Sequence, residues 1–151
     1  MQRTQGFTLV ECALVCAVTA VLAAVALPQM QHHSLRAARL DAVHALTRLQ
    51  TVQEQHRSAH GLYASELAAL RGVAAVSDQG RYTLALAAAP ASAPLNGAYT
   101  ATATAQNAQA DDTRCKLLGV MVKGGDLTFA SGTSSVDFAA SAPDANRCWA
   151  R

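Results

Sequence analysis

From Phe7 through Leu27 the chain carries a single charge, Glu11, in an otherwise apolar or small-polar run of 21 residues. At about 1.5 Å per helical residue, such a run matches a hydrocarbon core of roughly 30 Å. Beyond Pro28 the pattern changes. Leu35, Ala38, Ala42, Leu46, Leu49 and Val52 recur at spacings of three and four, the stripe of an amphipathic helix that docks on something. Asp41, Glu54, Arg36, Arg39, Arg48 and Arg57 fall on the other faces, where solvation, or for the arginines inter-subunit salt bridges, is the plain reading. Gly61 after His60 is a natural helix stop. The predicted helix is therefore long, roughly 80 Å from Phe7 to Ala59, with Pro28 kinking or loosening it rather than ending it.

After Gly61 the period shortens toward two. Leu62 to Leu67 reads as a loop and a short helical turn with Ser65 as N-cap. Arg81–Leu86 and Tyr99–Thr104 alternate as strands, separated by a Pro- and Ala-rich connection from Ala88 to Gly97. Lys116–Val122 and Leu127–Ala130 flank Lys123-Gly124-Gly125-Asp126 and predict a hairpin. The fold class is α+β: one long N-terminal helix laid across a small antiparallel sheet.

Composition adds two constraints. The chain has 151 residues, enough for one globular domain beyond the helix, and its hydrophobic content of 51% includes 5% aromatics and much alanine. The core is then thin and calls for reinforcement. A net charge of +2 is too mild to name nucleic acid as a partner.

The apolar run admits three readings. A secretory signal would be shorter and discarded, and a plain signal anchor would leave Glu11 unexplained, although Arg3 suits a cytoplasmic N-terminus. A carboxylate in a bilayer costs about 2.5 to 3.5 kcal/mol near a helix centre, so it calls for a cation. Cutting between Gly6 and Phe7 would create one, an α-amine four residues from Glu11.

Gly6-Phe7-Thr8-Leu9-Val10-Glu11 resembles the prepilin processing motif of type IV pilins and related pseudopilins, and the apolar run and Pro28 extend the resemblance. It implies a leader over residues 1–6 and a transmembrane and polymerisation segment over 7–28. An amphipathic half over 29–60 and a globular β domain over 61–151 follow. It also implies cleavage and N-methylation at Phe7 by prepilin peptidase, with Glu11 pairing to a neighbouring subunit's amine during filament assembly. Partners are then other pilin subunits and the inner-membrane assembly machinery, with a single membrane pass before export to an extracellular pilus.

The order Gly61-Leu62-Tyr63, a Tyr-Thr-rich strand, Asp111-Asp112-Thr113-Arg114-Cys115, a hairpin and Cys148-Trp149 looks like a minor-pilin globular domain, though alanine-rich stretches depart from it. Cys12 and Cys16 lie in the membrane run one helical turn apart, too far for a bridge, and stay thiols packed among apolar helices. Cys115 and Cys148 fall where family pilins carry a disulfide-bounded loop. In an oxidising periplasm that bond closes about 30 residues and contributes on the order of 3 to 4 kcal/mol.

No nucleophile, carboxylate pair or phosphate loop has a convincing setting, so an enzyme is not expected, nor a cofactor. Asp111 and Asp112 read as a solvated turn ahead of a calcium site. His56 and His60, four apart, and the adjacent His32 and His33 read as solvent-facing, with no metal ligand assigned. The function indicated is a pilus subunit for adhesion, twitching motility or DNA uptake, with a type II secretion pseudopilin as runner-up. Arg114, Lys116, Lys123, Arg147 and Arg151 could form a DNA-binding face of a competence pilin, but scattered surface charge is the plainer reading of them.

Overall fold

A computed structural model describes residues 8–88 and 97–149, and divides the chain into two compact units at Ser34 and Leu35. Helix α1, Leu9–His60, supplies residues to both. Gly6, Phe7, Arg151 and most of the Pro-rich connection lie outside the described residues.

In the first unit Thr8 caps α1. Its Oγ1 accepts the N–H of Glu11 at 3.3 Å, a donor that the Thr8 carbonyl shares at 3.1 Å. Thr8-Leu9-Val10-Glu11 is the Thr-x-x-Glu sequence of a capping box, a local signal that sits inside the processing motif. Helical backbone continues through Pro28 without ending there. Leu9, Val10, Leu14, Val18, Val21 and Leu22 are all more than half exposed, and this part of α1 is long and apolar enough to cross a membrane. Cys12 and Cys16 are exposed thiols.

The second unit begins where the amphipathic stripe begins. Ala38, Ala42, Leu46 and Leu49 are buried, with Leu35 and Val52 partly so at the ends of the stripe. Gly61 closes α1 with φ +77° and an N–H donated to the Arg57 carbonyl at 2.8 Å, a left-handed C-terminal stop. The short turn that follows is 3₁₀, Leu67–Ala69, and its cap is Glu66 without a side-chain bond. The capping role expected of Ser65 is therefore not used.

Four strands form an antiparallel meander in the order β1 (Tyr82–Ala88), β2 (Ala98–Ala105), β3 (Leu117–Lys123) and β4 (Asp126–Gly132). Each lies within two residues of its predicted bounds at either end. Gly124 and Gly125, with φ of +62° and +92°, make the two-residue β3–β4 turn, a conformation glycine adopts without steric cost. On β2, Tyr99, Ala101 and Ala103 are buried in one cluster with Leu46 and Leu49 of α1, while Thr100, Thr102 and Thr104 take the other face.

Polar side chains on the buried side of α1 supply what the alanines do not. Gln53, fully buried, donates Nε2–H to the Ala64 carbonyl at 3.0 Å and accepts the Ala64 N–H at 2.9 Å, clamping the returning chain. Asp41, expected on a solvated face, is buried and accepts from Ser77 Oγ at 2.6 Å and the Gln79 N–H at 3.2 Å. Each replaces water with protein partners, the condition for burying a polar group cheaply.

Two phenols are less well served. The Tyr82 and Tyr99 hydroxyls are buried and lack hydrogen-bond partners among the described residues. Burial raises both above the ordinary tyrosine value, Tyr82 to about 12. In the unfolded chain these phenols ionise near pH 10. Their contribution is thus complete below about pH 10 and lost as pH climbs toward the folded-state value. We expect the urea midpoint to fall between about pH 10 and 12, and Tyr82→Phe to flatten that fall. An identical pH dependence in the variant would show that this phenol does not control it.

Candidate functional site

The β2–β3 connection is built to grip α1. Beyond Ala105 the chain turns through a 3₁₀ segment, Asn107–Asp111, and Gln109 donates from Nε2 to the Leu35 carbonyl at 3.1 Å. Asp112 follows and takes a two-pronged bond from Arg39, Nε to Oδ2 at 2.6 Å and Nη2 to Oδ1 at 3.0 Å. With side chains 13% and 5% exposed, this pair is largely withdrawn from water. Both residues were expected in solvent. The planar fork of arginine matches a carboxylate at both oxygens, which is how two charges can be buried together. It also uses the Asp112 carboxylate that a calcium site would have needed.

Three residues on, Cys115 is bonded to Cys148 across a Cα separation of 5.7 Å. This bond fastens the C-terminal turn beside Arg114. The turn is organised by Asp144, which accepts from Ser131 Oγ at 2.5 Å, the Cys148 N–H at 2.9 Å and the Trp149 N–H at 3.4 Å. Arg147 sits in it at φ +51°, a left-handed conformation uncommon for a side-chain-bearing residue, and donates its N–H to the Asp144 carbonyl at 2.9 Å. Asn146 donates from Nδ2 to the Arg114 carbonyl at 3.0 Å, joining the two segments a second time. Trp149 is anchored by Nε1–H to the Ala130 carbonyl at 2.9 Å and packs at a tilt of 51° against Phe129, with 4.6 Å between ring centroids.

These ties bring Arg36, Arg39, Arg114, Asn146, Arg147 and Cys148 around one groove. The Arg39 charge is met by Asp112, while no carboxylate pairs with Arg36, Arg114 or Arg147 among the described residues. Three exposed guanidiniums therefore share the groove, forming an anion-attracting surface with planar donors suited to phosphate oxygens.

Of the basic residues singled out from sequence, the structure joins Arg114 and Arg147. Lys116 is partly buried immediately before β3, and Lys123 is at the far end of that strand, about 20 Å away. Arg36 and Arg39 were missed as site residues. Their spacing of three placed them on one helix face, but the loop that meets that face is distant in sequence. Glu11 is exposed in the first unit with its N–H engaged by Thr8. No cluster of three or more histidine, cysteine or acidic side chains that could hold a metal occurs among the described residues.

Two family models match the chain. One, described as "Type IV minor pilin ComP, DNA uptake sequence receptor", matches residues 28–119. The other, described as "Prokaryotic N-terminal methylation motif", matches residues 1–27. The first takes in more than half of the chain, including Arg36, Arg39, Asp112, Arg114 and Cys115, and stops before Arg147 and Cys148. No curated protein matches the chain.

The buried ion pair gives the site its most direct test. Arg39→Met leaves the Asp112 carboxylate buried and unpaired, and should cost about 3 kcal/mol in urea unfolding. Adding Asp112→Asn should restore part of the loss. A single variant as stable as the parent would show that the pair does not hold the β2–β3 connection to α1.

Proposed function

The chain belongs to the type IV minor pilin ComP family, described as DNA uptake sequence receptors, and on that premise we propose that it captures DNA at the pilus through the groove beside its disulfide. The observation that carries this reading is the convergence of Arg36, Arg114 and Arg147, none paired with a carboxylate among the described residues. A duplex presents closely spaced phosphates, and each guanidinium that neutralises one releases a condensed counterion. Such contacts supply affinity and fix orientation, whereas sequence is read at base edges or through DNA shape. Scattered surface charge was the plainer reading from sequence; the groove and the family description together favour DNA.

Pilin families are structural, and the assembly half of the role rests on α1. In this reading prepilin peptidase cuts between Gly6 and Phe7 and methylates Phe7, consistent with the match to the N-terminal methylation motif. The apolar part of α1 makes a single pass through the inner membrane, with a cytoplasmic N-terminus, before the assembly machinery transfers it to the filament. Glu11 then meets the amine of a neighbouring subunit, and Pro28 loosens the helix during extraction. A match to a pilus minor pilin leaves the type II secretion pseudopilin without a finding of its own.

DNA capture is tested with the full chain in detergent and a labelled duplex. Three phosphate contacts give a slope of roughly −2.7 for log affinity against log salt. Arg36→Gln, Arg114→Gln and Arg147→Gln should each reduce that slope by about 1, and Lys123→Gln should leave it unchanged. Unaltered binding by all three arginine variants would sink the groove as the DNA site. For assembly, Glu11→Ala should be processed normally yet be depleted from sheared pili. Parental abundance there would refute its role.

A further inference from the structure

At the C-terminal end of α1 lies a histidine pair remote in sequence from the residues of the arginine groove. His56 and His60 are one turn apart, with ring centroids 4.2 Å apart and planes inclined by 20°. His56 Nδ1 lies 3.0 Å from the Leu62 carbonyl oxygen, and His60 Nδ1 lies 3.0 Å from the His56 carbonyl oxygen. A carbonyl oxygen can accept but not donate. Both Nδ1 atoms therefore carry the proton, and in the neutral rings the lone pair is left on Nε2. Neither Nε2 is hydrogen-bonded among the described residues.

We propose that His56 and His60 form a surface site for a divalent transition metal, copper(II) above nickel(II) and zinc(II), bound through the two Nε2 atoms. Positions four apart on a helix share a face, so two imidazoles can reach one ion. An Nδ1–H bonded to a backbone carbonyl is the usual outer support of a metal-binding histidine, fixing its tautomer and raising its basicity. Here both rings already have that support. Imidazole suits copper, nickel and zinc, and among these copper(II) binds a given nitrogen site most tightly.

The geometry also limits the site. Two nitrogens bound to one ion at about 2.0 to 2.1 Å are roughly 3 Å apart, so the stacked rings must turn their edges inward. His60 is exposed, so its ring can turn toward that geometry without displacing core side chains. The nearest cation along the helix, Arg57, is already engaged: its Nε lies 3.2 Å from Glu54 Oε2 and its guanidinium sits 5.3 Å from the Tyr63 ring centroid. Among the described residues no further histidine, cysteine or carboxylate joins the pair to make a group of three. Solvent then completes the coordination, making this an open, exchangeable site unlike a closed structural zinc centre. Fastening of the helix end, through the His56 and Leu62 carbonyls, would account for the Nδ1 bonds but would leave copper affinity independent of Nε2.

The test titrates copper(II) into the full chain in detergent, without a histidine tag, using calorimetry and electron paramagnetic resonance. One equivalent should bind with hyperfine structure from two nitrogens. His56→Ala and His60→Ala should each lower affinity by at least about tenfold and leave a single-nitrogen signal, while the double variant His32→Ala/His33→Ala should bind as the parent does. Because His60 is exposed, its variant also separates ligand loss from misfolding, which circular dichroism would report. Absence of binding in the parent, or undiminished two-nitrogen binding by His60→Ala, would overturn the proposal.

Discussion

Small side chains set the terms of the globular unit. Ala38 and Ala42 on α1 and Ala101 and Ala103 on β2 occupy positions that larger residues commonly fill, and each removes little apolar area from water. Tyr82, Tyr99, Leu46, Leu49 and Leu118 supply most of the bulk. A core of this kind brings helix and sheet together without specifying every loop around them. Specificity comes from individual polar ties: Gln53 to Ala64, Asp41 to Ser77 and Gln79, and Arg39 to Asp112. The Cys115–Cys148 bond adds a covalent one. Buried groups of this type stabilise little net while paired and cost much when one partner is removed, so they act chiefly as locks on geometry.

Those locks produce the groove. Asp112 holds the β2–β3 connection to α1 and neutralises Arg39, leaving Arg36 exposed on the same helix. The disulfide and the Asn146–Arg114 bond then set the C-terminal turn against that connection, and Asp144 fixes the turn in which Arg147 has positive φ. Three segments far apart in sequence thus deliver one guanidinium each. Charge concentration arises from the ties, since the chain as a whole carries a formal net charge of +2.

The same reasoning explains what the sequence made legible. Hydrophobic pattern together with turn and breaker residues located α1, its stripe and the four strands, because both depend on near neighbours. Gly61 and Gly124-Gly125 were recognisable because their backbone conformations favour glycine. Asp41, Arg39 and Asp112 were misplaced in solvent because a charged residue on a helix or in a turn is usually exposed. Their partners lie 36 and 73 residues away, and no local pattern announces them. The Thr8 cap was readable from Thr-x-x-Glu but was overshadowed by the processing motif that contains it. The arginine groove was half legible: Arg114 and Arg147 stand beside the two cysteines, whereas Arg36 enters through tertiary docking.

The two parts of α1 meet opposite requirements, and this bears on how a minor pilin changes surroundings. From Leu35 onward the helix shares its apolar stripe with the sheet, whereas from Leu9 to Leu22 apolar side chains remain uncovered on many positions. Lipid tails and neighbouring apolar helices are almost equivalent covers, so moving such side chains from bilayer to filament provides little hydrophobic driving force. A charge does not share that indifference. Glu11 is costly in hydrocarbon and far less so beside a cation, so the free-energy difference between the two settings concentrates on one carboxylate. In the proposed assembly the apolar side chains make the transfer possible, and Glu11 gives it direction and register.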